Sequence, residues 1–294
     1  MNRRLKDLLA SRLMLSATIL SSLVVFVIAF VLFQKGSLIL ATFSLSDLFS
    51  SSWYPWKGQF GFYPFMMGTF WVTSLAMILA IPLCLLCAIY LAEYASGGVR
   101  GALKPLVDLL AGIPSVIFGV WGVLVIVPLV RDYLAPLVGA TTTGYSILAG
   151  GIVLAIMVFP IIISVSEEVF RSVPYEVREA SLALGATRWQ TVKHVIIRKS
   201  LPGVVAAVIL GFSRAFGETM AVLMVVGNVP KVPSSIFDPG YPLPALIANS
   251  YGEMMSIPLY DSALLFAAFI LFVVVFIFNM AARVILSRLE RRLR

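Results

Sequence analysis

The sequence predicts an all-α membrane protein of six transmembrane helices, with the N- and C-termini both cytoplasmic. Three observations predict it. First, 60% of the 294 residues are hydrophobic and only 12% are charged, whereas soluble domains run at about 45–50% apolar and about 25% charged. Second, crossing a hydrocarbon core ~30 Å thick takes about 20 apolar residues. Six stretches suffice: Leu13–Phe33, Thr69–Ala92, Leu109–Val130, Gly144–Val165, Gly203–Val226 and Ala263–Ala282. Third, of 22 Lys and Arg residues, 17 fall before the first span, in the second and fourth connections and at the C-terminal end; 4 fall in the other connections. Lys and Arg concentrate on the cytoplasmic side, and an even number of spans returns the chain there. The net charge of +8 therefore reports topology and anionic lipid, not nucleic acid.

The elements follow in order. Residues 1–12 place Leu5, Leu8 and Leu9 at helical spacing between Arg3, Arg4, Lys6 and Arg12, which predicts an amphipathic segment at the cytoplasmic interface. The first span, 13–33, is too long for a signal peptide, and no small-residue cleavage site follows it. The external loop 34–68 contains SSWYPWKGQFGFYP, an interfacial aromatic composition. Residues 69–282 form a five-helix core. It includes a cytoplasmic loop, 167–202, and an external loop, 227–261, in which PALIANSYGEMM is compatible with a short helix; a basic tail, 283–294, follows.

Cys84 and Cys87 have CxxC spacing but lie mid-span, where a thiolate is disfavoured, and read as small apolar fillers. His194 is the only histidine and has no Cys or acidic cluster beside it, so no metal site is expected. Pro82, Pro114, Pro128 and Pro160 punctuate the spans, and Gly112, Gly119 and Gly122 crowd the third; close packing and a cavity-lining broken helix both fit. No GxxxxGK[ST] phosphate loop occurs, which excludes an ATPase of that type.

The loop 167–202 is the first candidate for function. PYEVREASLAL starts a helix, with Pro174 early and Glu176 and Glu179 in the first turns. Gly185 breaks it, and TRWQTVKHVIIRKS predicts a second short helix. On residue patterns alone a generic amphipathic connector fits equally well. The residues Glu179, Ala180, Ser181 and Gly185 resemble the EAA motif of binding-protein-dependent ABC importer permeases. Ser181 departs from that family's usual Ala, and Leu201-Pro202 comes four residues after its expected position at Ile197-Arg198.

With LAEYASGGVRGALKPLVDLLAGIPSVIFGVWG and GFSRAFGETMAVLMVVGN, the chain from about Phe65 onward resembles the phosphate-specific importer permeases of the PstC type. The resemblance implies a type I ABC importer permease fold in a prokaryotic inner membrane. It implies a homologous permease partner of the PstA type, two cytoplasmic ATPase subunits of the PstB type and an external phosphate-binding protein of the PstS type. ATP and Mg would then be held by the ATPase subunits, this chain would bind no cofactor, and Glu179, Ala180, Ser181 and Gly185 would couple it to them.

The second candidate is Gly211–Val222, GFSRAFGETMAV, with two charges inside an apolar span. Arg214 lies roughly 18 Å into the span at 1.5 Å per residue. A charge at mid-membrane costs about 2.5–3.5 kcal/mol on insertion scales and marks a functional site by default. An unbroken helix would put Glu218 on the face of Arg214. The pair then either neutralises itself or lines an anion path. In the path reading Arg214 offers a donor fork to phosphate, Glu218 accepts from a protonated phosphate oxygen or tethers Arg214, and Ser213 and Thr219 add hydroxyls. A permease for another oxyanion or small solute, an ATP-independent ion-coupled carrier, and a non-transporting scaffold are the competing readings.

Overall fold

The computed structural model describes residues 3–253 and 258–293. Met254 and Met255, which close the PALIANSYGEMM segment, lie outside the described residues, as does Arg294 of the tail. Six helices are long and apolar enough to cross a membrane. They are α1 (Arg3–Thr42), α2 (Tyr63–Tyr94), α4 (Ser115–Leu137), α5 (Ile147–Arg171), α7 (Arg188–Phe216) and α10 (Pro258–Leu293). Shorter helices lie between them: α3 (Gly97–Gly112), α6 (Tyr175–Ala183), α8 (Met220–Val225) and α9 (Leu243–Ser250).

Several boundaries differ from the sequence reading. The expected N-terminal segment and first span are one 40-residue helix that continues to Thr42, well into the expected external loop. Nothing interrupts it, because no Pro occurs in it and its Gly36 is tolerated inside the helix. Gly36 also allows close approach: a Cβ there would sit 3.1 Å from the Phe266 backbone of α10. The third span starts at Ser115, not Leu109. Residues 97–112 form the separate helix α3, capped by Ser96 and ended by the extended Ile113–Pro114 pair, as the restriction on residues preceding proline requires.

The centre is the packing of α2 on α5. Val72, Met77, Cys84, Leu154, Val158 and Ile162 are buried there. Gly211 brings α7 onto the same layer; a Cβ would meet Ile162 Cγ1 at 2.6 Å. At the basic-rich end a smaller apolar cluster joins Ala88, Ile89, Phe170, Val173, Val192 and Ile196. At the opposite end, Trp53–Tyr54 and Gln59–Phe60 form a two-stranded antiparallel hairpin. It packs its aromatics with Phe62, Phe65 and Tyr260 against α9 and α10. α9 is the helix expected within the external loop 227–261, and its first residues are buried.

Candidate transport site and coupling surface

The loop after α5 is built by local capping. α6 ends at Ala183, and Gly185 takes φ +85°, a left-handed conformation suited to glycine. Thr187 then caps α7: its hydroxyl accepts from Gln190 N at 3.2 Å while its own N–H donates to Gln190 Oε1 at 2.8 Å. Here the structure corrects the sequence reading. The stretch after Gly185 is not a separate short helix; it runs through Pro202 and becomes the fifth span. A π-helical segment, Val192–Ile196, lies directly ahead of the proline-containing stretch.

Of the four motif residues, Glu179, Ala180 and Gly185 are exposed, whereas Ser181 is half-buried and its Oγ lies 2.9 Å from Thr191 Oγ1. Ser181 therefore holds α6 to the first turns of α7, a contact that Ala could not make. Beside these residues the loop presents Leu184, 89% exposed, with Leu182 and Trp189 also exposed. These side chains form an open apolar edge beside the motif residues.

Sequence reasoning missed what lies behind this edge. Arg178 Nη2 lies 3.0 Å from Glu93 Oε1, with side chains 15% and 10% exposed. A cavity of about 490 Å³ opens here, lined by Arg100, Arg171, Arg178, Arg188, Glu93 and Glu179 among others. The available signal was an acidic residue, Glu93, closing an apolar span at the basic end of the chain.

The charged stretch of the fifth span also differs from expectation. α7 stops at Phe216, Gly217 and Glu218 leave the helix, and α8 restarts at Met220. Glycine costs about 1 kcal/mol relative to alanine inside a helix, and the β-branched Thr219 beside it favours a helix only weakly. Arg214 and Glu218 are consequently not stacked on one continuous face. Arg214 is exposed and belongs to none of the three ion pairs among the described residues. Glu218 is half-buried, accepts from the Thr219 N–H at 3.2 Å, and lines a narrow crevice with Thr69 and Thr73 of α2. The self-neutralising pair is thereby excluded in this conformation.

Ser213 donates to Asn279 Oδ1 of α10 at 3.0 Å, and Asn279 in turn donates to Val275 O at 2.9 Å. Thr219 Oγ1 donates to Gly217 O at 3.3 Å. Both hydroxyl protons are therefore engaged within the chain. Asn279 was absent from the sequence reading; a lone amide in an apolar run was its only signal.

Six spans, a capped surface loop and an uncovered cation describe a multi-pass membrane protein. Residues 80–294 match the family described as the binding-protein-dependent transport system inner membrane component, and the chain belongs to that family. It is 38% identical over 262 residues to the phosphate transport system permease protein PstC of Xylella fastidiosa (strain Temecula1 / ATCC 700964), covering 84% of this chain and 80% of that one. It is 34% identical over 279 residues to PstC of Mesorhizobium japonicum, covering 90% and 85%. Among solved structures, a bacterial alginate ABC transporter in complex with alginate pentasaccharide-bound periplasmic protein matches with TM-score 0.61 at 18% identity, over 96% of each chain. The MetNI methionine ABC transporter, inward facing, matches with TM-score 0.61 at 18% identity, over 81% of this chain and 99% of that one. The fold is that of type I ABC importer permeases, and the chain is a multi-pass membrane subunit.

Proposed function

We propose that this chain is the permease subunit of an ATP-driven importer carrying inorganic phosphate across a prokaryotic inner membrane. The basic termini and loops face the cytoplasm, as the distribution of Lys and Arg favours. The substrate class is supported by the PstC relatives. The observation that carries the site is Arg214: a cation in an apolar span, exposed, with no counter-ion in its own chain among the described residues. A charge so placed needs water or a partner beside it. A homologous permease subunit of the PstA type supplies the other wall, and the path runs between the two.

Arg214 presents a planar donor fork that suits a phosphate. Glu218 lies across the break. Straightening residues 217–219 would bring it over Arg214 as an acceptor for a protonated phosphate oxygen, which fully ionised sulfate lacks. Ser213 acts through Asn279 to fix the last turn of α7, and Thr219 closes the break. On the cytoplasmic side, Glu179, Ala180, Ser181 and Gly185 shape the edge that docks onto two ATPase subunits of the PstB type, which hold ATP and Mg. An external phosphate-binding protein of the PstS type delivers substrate. The test compares phosphate uptake by Arg214→Ala and wild type, each assembled with its partners in lipid. Uptake is lost with assembly intact; undiminished uptake would remove Arg214 from the path.

A further inference from the structure

We propose that the Glu93–Arg178 ion pair is the link through which the loop between α5 and α7 moves α2. Both are then positioning residues of the transport cycle. The inference rests on the coupling role given to this loop above.

α2 ends in a π-helical segment, Tyr90–Tyr94, which contains Glu93. Arg178 stands in α6, directly before Glu179. Its Nη2 and Nε lie 3.0 and 3.3 Å from Glu93 Oε1. Nη2 also donates to Phe170 O at 2.7 Å, and Nη1 donates to Val173 O. One guanidinium therefore joins the end of α2, the last turn of α5 and the turn that follows it. Nearby, the Arg188 guanidinium lies 5.3 Å from the Tyr94 ring centroid, a second and more exposed contact to the same π segment.

The packing of α6 makes this link matter. No residue of α6 is buried, and Val177 alone reaches the neighbouring apolar cluster, half-buried. Apolar packing therefore does little to fix α6, and its polar contacts decide where it sits. Ser181 ties it to α7 and Arg178 ties it to α2. Displacement of the outer edge of the loop passes to α2 through Arg178. α2 in turn carries Thr69 and Thr73, which line the crevice with Glu218. A contiguous run of contacts thus reaches from α6 to the break beside Arg214.

The test uses the full complex with its ATPase and external binding protein in lipid vesicles, reading phosphate uptake per ATP hydrolysed. Glu93→Gln and Arg178→Gln each lower that ratio by between about twofold and thirtyfold, the span expected of coupling changes along a contact network. The double variant is no worse than the worse single one, because the two act as one unit. Arg178→Lys, which keeps the charge without the fork, lies between. Should a single variant fail to assemble because it strands a buried charge, the double variant and Arg178→Lys carry the same comparison. Uptake and hydrolysis falling in proportion would make the pair merely structural and overturn the proposal, as would an unchanged ratio. Glu179→Lys, run alongside, separates the two claims: coupling kept in Glu179→Lys sinks the docking assignment, whereas coupling lost there but kept in the Glu93 and Arg178 variants sinks the link alone.

Discussion

Arg214 was legible in the sequence because a cation in an apolar run has no cheap structural explanation. Its relation to Glu218 was not. Helical spacing stacks residues four apart only while the helix lasts, and Gly217 ends it. The four motif residues show the same division. Their place on a surface loop was readable, but the half-burial of Ser181 and its hydroxyl contact with Thr191 depend on how two helices meet. Gly185 gives a direct prediction. At φ +85° a Cβ meets no neighbour but strains the backbone. Gly185→Ala should therefore cost about 1–2 kcal/mol locally, seen as faster amide exchange in the loop while the membrane helices keep their protection. Glu179→Lys belongs to the same scale. It reverses a charge on the exposed edge, and ATP hydrolysis in the assembled complex should continue without phosphate uptake.

At the scale of elements, the break between α7 and α8 bears most directly on the proposed path. Gly217→Ala favours a continuous helix by about 1 kcal/mol. It should shift residues 217–219 toward the straightened arrangement, with slower amide exchange across them and altered phosphate uptake. The opposite end of the bundle supplies a pH-dependent prediction. Asp238 Oδ2 accepts from Ser234 Oγ at 2.7 Å and from the N–H groups of Ser234 and Ser235 at 2.9 Å. The Ser234 hydroxyl first, and then the two N–H groups, hold its carboxyl below the usual carboxylate range against the opposing effect of partial burial. The turn so formed presents the carbonyls of Ile236 and Asp238 to the first N–H groups of α5.

A carboxyl with a depressed folded pKa stabilises fully above its unfolded value of about 3.9, and the effect is lost as the pH falls through the folded value. Because Asp238 is only half-buried, solvent screens the effect to a few tenths of a kcal/mol. Asp238→Asn should lower thermal stability slightly at pH 7 and leave it unchanged near pH 2. Six spanning helices were legible from hydropathy. Their limits were less so: the last turn of α3, 109–112, is as apolar as the span behind it, and only the Ile113–Pro114 break separates them. α1 overran its expected end because hydropathy marks where the bilayer stops, not where the helix does.

For the whole molecule, the apolar clusters, the capped loop and the family placement fit a subunit that works only in an assembly. Arg214 is uncovered, the loop edge carrying Leu184 is uncovered, and neither is closed by this chain among the described residues. The most direct measurement is ATP hydrolysis by the complex purified through this chain, in lipid with its external binding protein, comparing phosphate with sulfate. Stimulation by phosphate and not by sulfate is the predicted result. Stimulation by sulfate alone, or no co-purifying ATP hydrolysis at all, would contradict the assignment as an ATP-driven phosphate importer.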